Sequence, residues 1–207
     1  MKLHPSAGRV KVDDAQLTYK RAEIESRWLM RERAARGSGM AFIDQDIPGH
    51  EREIIDVVGM GVTENLADDG TRPKLGTARG FAITYVRAAN GKGIGMHTHP
   101  REEEVFIPVR SNWEILWLED SSRPEDEAMI FTLEPGDAIS VPPGVQRASR
   151  CASDDPDALL MVIIGGPDIG RVRWHDSVLE NARKTGLDLD ADGFLVDRRA
   201  PQKTASG

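Results

Sequence analysis

From about residue 41 to residue 165 the chain breaks into short apolar runs rich in β-branched residues and interrupted by Gly and Pro. Such runs predict strands. They fall near 41 to 45 (AFIDQ), 54 to 59 (IIDVVG), 78 to 88 (ARGFAITYVRA), 94 to 99 (IGMHTH) and 104 to 109 (EVFIPV), then near 112 to 119 (NWEILWLE), 128 to 133 (AMIFTL), 138 to 142 (AISVP) and 158 to 164 (ALLMVII). With so little helical pattern between them, an all-β sandwich or barrel is expected rather than an α/β layer structure.

Helical patterns flank this region. From Asp14 to about Ala35, good helix formers carry Leu17, Ile24, Trp28 and Leu29 on one face, with Gly37 as a stop. The expected organisation is a helical arm over 1 to 40, a barrel over 41 to 170, and a short helix with a mobile tail over 171 to 207. That last helix (VLENARKTG) has Asp176 or Ser177 as its cap and Gly186 as its stop. The apolar face of the arm suggests a homodimer.

Charge narrows the function classes. A formal charge of −7 argues against a surface that neutralises phosphates or anionic lipid, so neither nucleic acid nor membrane is an expected partner. No apolar run approaches the roughly 20 residues of a membrane span, and the N-terminus has no apolar export core, which predicts a cytoplasmic protein. The single cysteine, Cys151, excludes an internal disulfide.

Five histidines are present, and two of them, His97 and His99, form an H-x-H pair for which composition predicts only about 0.12 chance occurrences. On a strand, residues two apart share a face, so the imidazoles converge. Glu104 follows beyond a turn at Pro100 and opens the next apolar run, where its carboxylate can reach the same point; Glu102 and Glu103 read as a solvated turn. Two imidazoles and a carboxylate form the facial set of non-haem Fe(II), Mn(II) and related ions, with coordination positions left open. The run DLDADG (188 to 193) lacks a twelfth-position Glu for calcium and reads as a turn.

The segment from Gly91 to Pro108 resembles the first motif of the cupin superfamily, and GDAISVPPGVQR (136 to 147) resembles the second, G-x5-P-x-G-x2-H. The resemblance covers roughly residues 80 to 165. It implies a double-stranded β-helix, or jelly roll, and a divalent metal such as Fe, Mn, Ni or Zn held by His97, His99 and Glu104.

Two positions depart from the pattern: the fourth-ligand histidine is Arg147, and the glycine seven residues after Glu104 is Ser111. A guanidinium about 4 Å from a dication is repelled by about 8 kcal/mol at an effective dielectric constant of 20, before screening. Three arrangements follow. Arg147 turns outward; or it replaces the metal by pairing with Glu104; or it faces the open position and binds a substrate anion, with Gln146 as an auxiliary polar contact. The expected function is a metal-dependent enzyme with dioxygenase-like chemistry on a small polar or anionic substrate, and the alternative is a binding or sensor barrel that has lost its ion.

Overall fold

The computed structural model describes residues 20–59, 63–68, 70, 72–76, 78, 80–166 and 172–199. The apolar runs pair into two five-stranded antiparallel sheets. The strands are β1 (Glu53–Val58), β2 (Phe81–Arg87), β3 (Gly93–Thr98), β4 (Glu103–Arg110), β5 (Trp113–Leu118), β6 (Met129–Leu133), β7 (Ile139–Val141), β8 (Gln146–Cys151), β9 (Leu159–Gly165) and β10 (Arg173–Trp174). One sheet runs β1-β2-β9-β4-β7 and the other β10-β3-β8-β5-β6, so from β2 onward the chain passes repeatedly from sheet to sheet. This is a double-stranded β-helix, the architecture the sequence predicts.

Alternation along each strand divides the side chains between two layers. Phe106, Trp113, Ile115, Val141 and Leu160 pack between the sheets. Met96, Leu118 and Trp174 join a second layer with Ile43, Leu187 and helix α2 (Asp176–Lys184), which buries Val178 and Ala182. After α2 the chain forms a hairpin, β11 (Leu187–Leu189) and β12 (Leu195–Asp197); the DLDADG run begins in β11 and only Asp190–Gly193 lie in the turn.

Several expectations need correction. Residues 41 to 45 are not a strand: Ile43–Asp46 form a 3-10 turn, because Gln45 Oε1 takes the Phe42 amide at 2.8 Å and buried Asp44 bonds distant groups. Among the described residues the arm is α-helical over Arg21–Arg27, which buries no residue, and a helix without tertiary packing is marginal in water. Beyond it, Glu32 turns back to pair with Arg87 and Arg110. Ile24, Trp28 and Leu29 are exposed. The start of the expected helix and the expected mobile tail from 200 onward lie outside the described residues. Helix α2 is capped by His175, whose side chain accepts from the Ser177 amide, and Gly186 follows it at φ +88° as expected.

Ser111, which stands where the motif carries glycine, is the non-glycine residue with positive φ among those described, at 63°. A side chain in that region costs on the order of 1 kcal/mol relative to glycine. The Ser111 hydroxyl donates to Asp155 at 2.8 Å in an exposed setting, which offsets part of it. Ser111→Gly is therefore expected to stabilise the chain by about 0.5 kcal/mol, read from the denaturant midpoint; a loss of stability would mean the hydroxyl contact outweighs the strain.

Candidate metal centre and its cavity

Strand β3 places the two imidazoles by means of a bulge. Ile94 pairs with Ser149 and His97 with Arg147, so three residues separate the partners on β3 and two on β8. The extra residue, in Gly95–Met96, lets Ile94 and His97 face the same side even though an odd number of residues separates them. On β4, Glu104 pairs with Ile164 and Phe106 with Val162, which sets both on the inner face and Glu103 on the outer one. Glu103 is exposed as expected. Glu102 is not: it is 2% exposed and forms part of the interior.

His97, His99 and Glu104 are 2%, 1% and 2% exposed, and their ligating atoms lie within 4.8 Å of one another. Glu104 Oε2 is 3.4 Å from His97 Nε2 and 3.9 Å from His99 Nε2. His97 Nδ1 lies 2.9 Å from the Gly95 carbonyl oxygen. A carbonyl only accepts, so Nδ1 carries a proton, and Nε2 is the nitrogen left to meet Glu104, as a lone pair whenever the ring is neutral. That lone pair faces a carboxylate oxygen which, although buried, accepts no hydrogen bond. With the ring neutral, two acceptors face each other and a cation between them satisfies both; with the ring protonated, the pair is an ion pair instead. An ion bonded at about 2.1 Å to two ligands, with roughly 90° to 109° between the bonds, holds them about 3.0 to 3.4 Å apart. The three residues therefore fit a divalent ion, and the Gly95 carbonyl supplies the outer hydrogen bond that orients a ligating imidazole.

Arg147 does not turn outward. It is fully buried, with Nε 3.3 Å from Glu104 Oε2 and Nη2 donating to the Pro142 carbonyl at 3.2 Å. Burial pushes Glu104 up, but His97, then His99 and Arg147, outweigh it and hold the carboxyl at about 2. Desolvation lowers the guanidinium from its ordinary value, and Glu104 opposes this. Arg147 is absent from the cavity wall, so the structure moves it from the ligand's side of the site to the carboxylate's. Gln146 is corrected too. It precedes Arg147 on β8 and pairs with Leu118, so it faces the layer under α2, and adjacent strand residues cannot both line one cavity.

The cavity beside the triad encloses about 630 Å³ of space, part of it open to solvent. Its wall is mostly apolar, with Phe42, Ile54, Val86, Ile94 and Trp174 among the lining residues. The segment from 41 to 75, which carries no interpretable motif, contributes Phe42, Arg52, Ile54 and Asp56 to this wall. Trp174 stands with its ring 5.7 Å from that of His97, and its indole donates to Glu64 at 2.7 Å. Glu64 also accepts from the Ile43 amide at 2.8 Å, and burial raises its carboxyl to about 7.

Antiparallel sheets in this order, closed around an inward H-x-H and Glu set, form a double-stranded β-helix with a candidate metal site at its cavity wall. No family model matches the chain, and no curated protein matches it. Similar solved structures include KdgF from a Halomonas species, at 16% identity over 58% of this chain and 83% of that one, with a TM-score of 0.40. A cupin-2 domain protein from Shewanella frigidimarina is 18% identical over 43% of this chain and 74% of that one, with a TM-score of 0.33. Bacillus subtilis oxalate decarboxylase, a protein with Mn(II) centres, is 13% identical over 46% of this chain and 24% of its own, with a TM-score of 0.37.

Proposed function

We propose that this chain is a metal-dependent enzyme in which His97, His99 and Glu104 hold one divalent ion at the wall of a small-molecule cavity, with dioxygenase-like oxidation as its reaction type. The observation that carries the reading is the convergence of the His97, His99 and Glu104 ligand atoms within 4.8 Å of one another in the buried wall of the cavity. An ion there supplies Lewis-acid polarisation of a ligand oxygen and coordination positions that the protein leaves open. The chain's own residues do the rest. Glu104 is favoured as the carboxylate by the charged Arg147 guanidinium beside it. Arg147 Nε approaches the same carboxylate at 3.3 Å and would share it with the ion. Trp174 and the apolar wall exclude water from the ligand's body.

A second reading is a binding barrel without an ion, in which Arg147 neutralises Glu104, and the 3.3 Å approach of Arg147 Nε favours it. Elemental analysis of protein purified without chelator, followed by titration with Fe(II) or Mn(II), separates the two. One ion per chain is expected. At a free ion concentration a hundredfold above the dissociation constant, the native state gains about 2.7 kcal/mol. A chain that stays empty and gains no stability after reconstitution overturns the metal reading.

A further inference from the structure

Strand β1 and its lead-in project Arg52, Ile54 and Asp56 to the same face, and all three line the cavity. Asp56 is 7% exposed. Its Oδ1 accepts from the Thr84 hydroxyl at 3.0 Å, whereas Oδ2 has no partner. Arg52 is 6% exposed; both terminal nitrogens are engaged by Asp44, and its Nε is likewise unpartnered. Strand β1 and its lead-in thus carry an unsatisfied acceptor and an unsatisfied donor on a mostly apolar wall. Ile54, Val86 and Val162 line the same cavity, so a carboxylate at Asp56 stands out against its neighbours. Burial pushes the Asp56 carboxyl up to about 6, which still leaves it mainly an acceptor at neutral pH.

We propose that Asp56 is a specificity-determining residue that accepts a hydrogen bond from a hydroxyl at the far end of the ligand, and that the ligand is a hydroxylated organic acid with an apolar body. This deepens the metal reading and rests on it for the acid end, which the triad's ion takes. Arg52 Nε offers a donor to a ligand oxygen on the same wall. The mostly apolar lining then refines the small polar substrate expected from the sequence to an amphipathic one: the walls take the body, and a few placed polar groups fix its orientation.

The probes are ω-hydroxyalkanoates from hydroxybutanoate to hydroxyoctanoate, each paired with the alkanoate in which a methyl replaces the hydroxyl. Affinities are read by calorimetry with Mn(II) and by ligand-observed NMR without it. At one chain length the hydroxy acid is expected to bind about tenfold more tightly than its methyl counterpart, the usual value of one well-placed hydrogen bond. Asp56→Ala removes that preference and leaves the methyl acids within about twofold, since their apolar contacts are untouched. Asp56→Asn, which keeps the shape, serves the same comparison if the alanine variant folds poorly. The proposal is overturned if no chain length favours the hydroxyl in the native sequence, or if the preference survives loss of the carboxylate. The two readings fail separately. A chain that takes no ion but keeps an Asp56-dependent hydroxyl preference loses only the metal, and one that takes the ion without any preference loses only the role of Asp56.

Discussion

Asp44→Asn is expected to lower the melting temperature by about 10 °C and to weaken metal binding at a site whose ligands it does not touch. Asp44 and Arg52 form a two-pronged ion pair at 2.7 and 2.8 Å, and their side chains are 0% and 1% exposed. Removing one charge from a buried pair leaves the other uncompensated, at a cost of about 3 to 5 kcal/mol. In a chain of this size each kcal/mol lowers the midpoint by about 2–4 °C. The effect on the metal travels through the bulge. Asp44 Oδ2 also accepts the Gly95 amide at 2.8 Å, and the Gly95 carbonyl fixes the His97 ring through Nδ1. A loosened Gly95 lets the imidazole rotate, and loss of such an outer hydrogen bond typically costs 10–100-fold in metal affinity. Thermal melts and ion titration of the variant check both parts. A midpoint within about 2 °C of the parent would show that Arg52 finds another partner, and an unchanged ion affinity would show that the bulge does not depend on Asp44.

What could be read from the sequence follows from which constraints are local. His97, His99 and Glu104 were legible because strand periodicity alone puts residues two apart on one face, and an apolar run identifies where the next strand begins. The β8 strand was not. Its residues, Gln146–Cys151, include two arginines and a serine but no β-branched or aromatic residue, and they are buried because β3 and β5 pair on both sides, a fact of topology rather than of pattern. Missing that strand also concealed the opposite facing of Gln146 and Arg147. The bulge at Gly95–Met96 has no signature beyond a glycine, although it aims His97. Asp44, Arg52 and Asp56 lie in a segment that reads as loop and strand of no special kind; their importance arises from distant partners, Gly95 for Asp44 and Gly93 for Arg52, 51 and 41 residues away, and Thr84 for Asp56, 28 residues away.

Arg147→His is expected to tighten metal binding by about 100-fold or more without changing the stoichiometry of one ion per chain. In the parent, the guanidinium Nε is 3.3 Å from the Glu104 oxygen that the ion would share. A dication held about 4 to 5 Å from the guanidinium would be repelled by on the order of 7 to 8 kcal/mol at an effective dielectric constant of 20. The carboxylate between them screens much of this; relief of even about 3 kcal/mol is a hundredfold in affinity. A neutral imidazole adds a fourth donor from a strand that already pairs with β3 at His97, and four donors close a tetrahedral site. Arg147→Met separates the two contributions, because it removes the charge and offers no comparable ligand. Its affinity should fall between those of the parent and the histidine variant. The closed site should also leave fewer positions for a ligand, so the affinity for a carboxylic acid should fall as that for the ion rises. Equal ion affinity in all three proteins would place the guanidinium away from the loaded site. A parent that stays empty while the histidine variant fills would mean that Arg147 has replaced the ion, and that this barrel binds its ligand without metal.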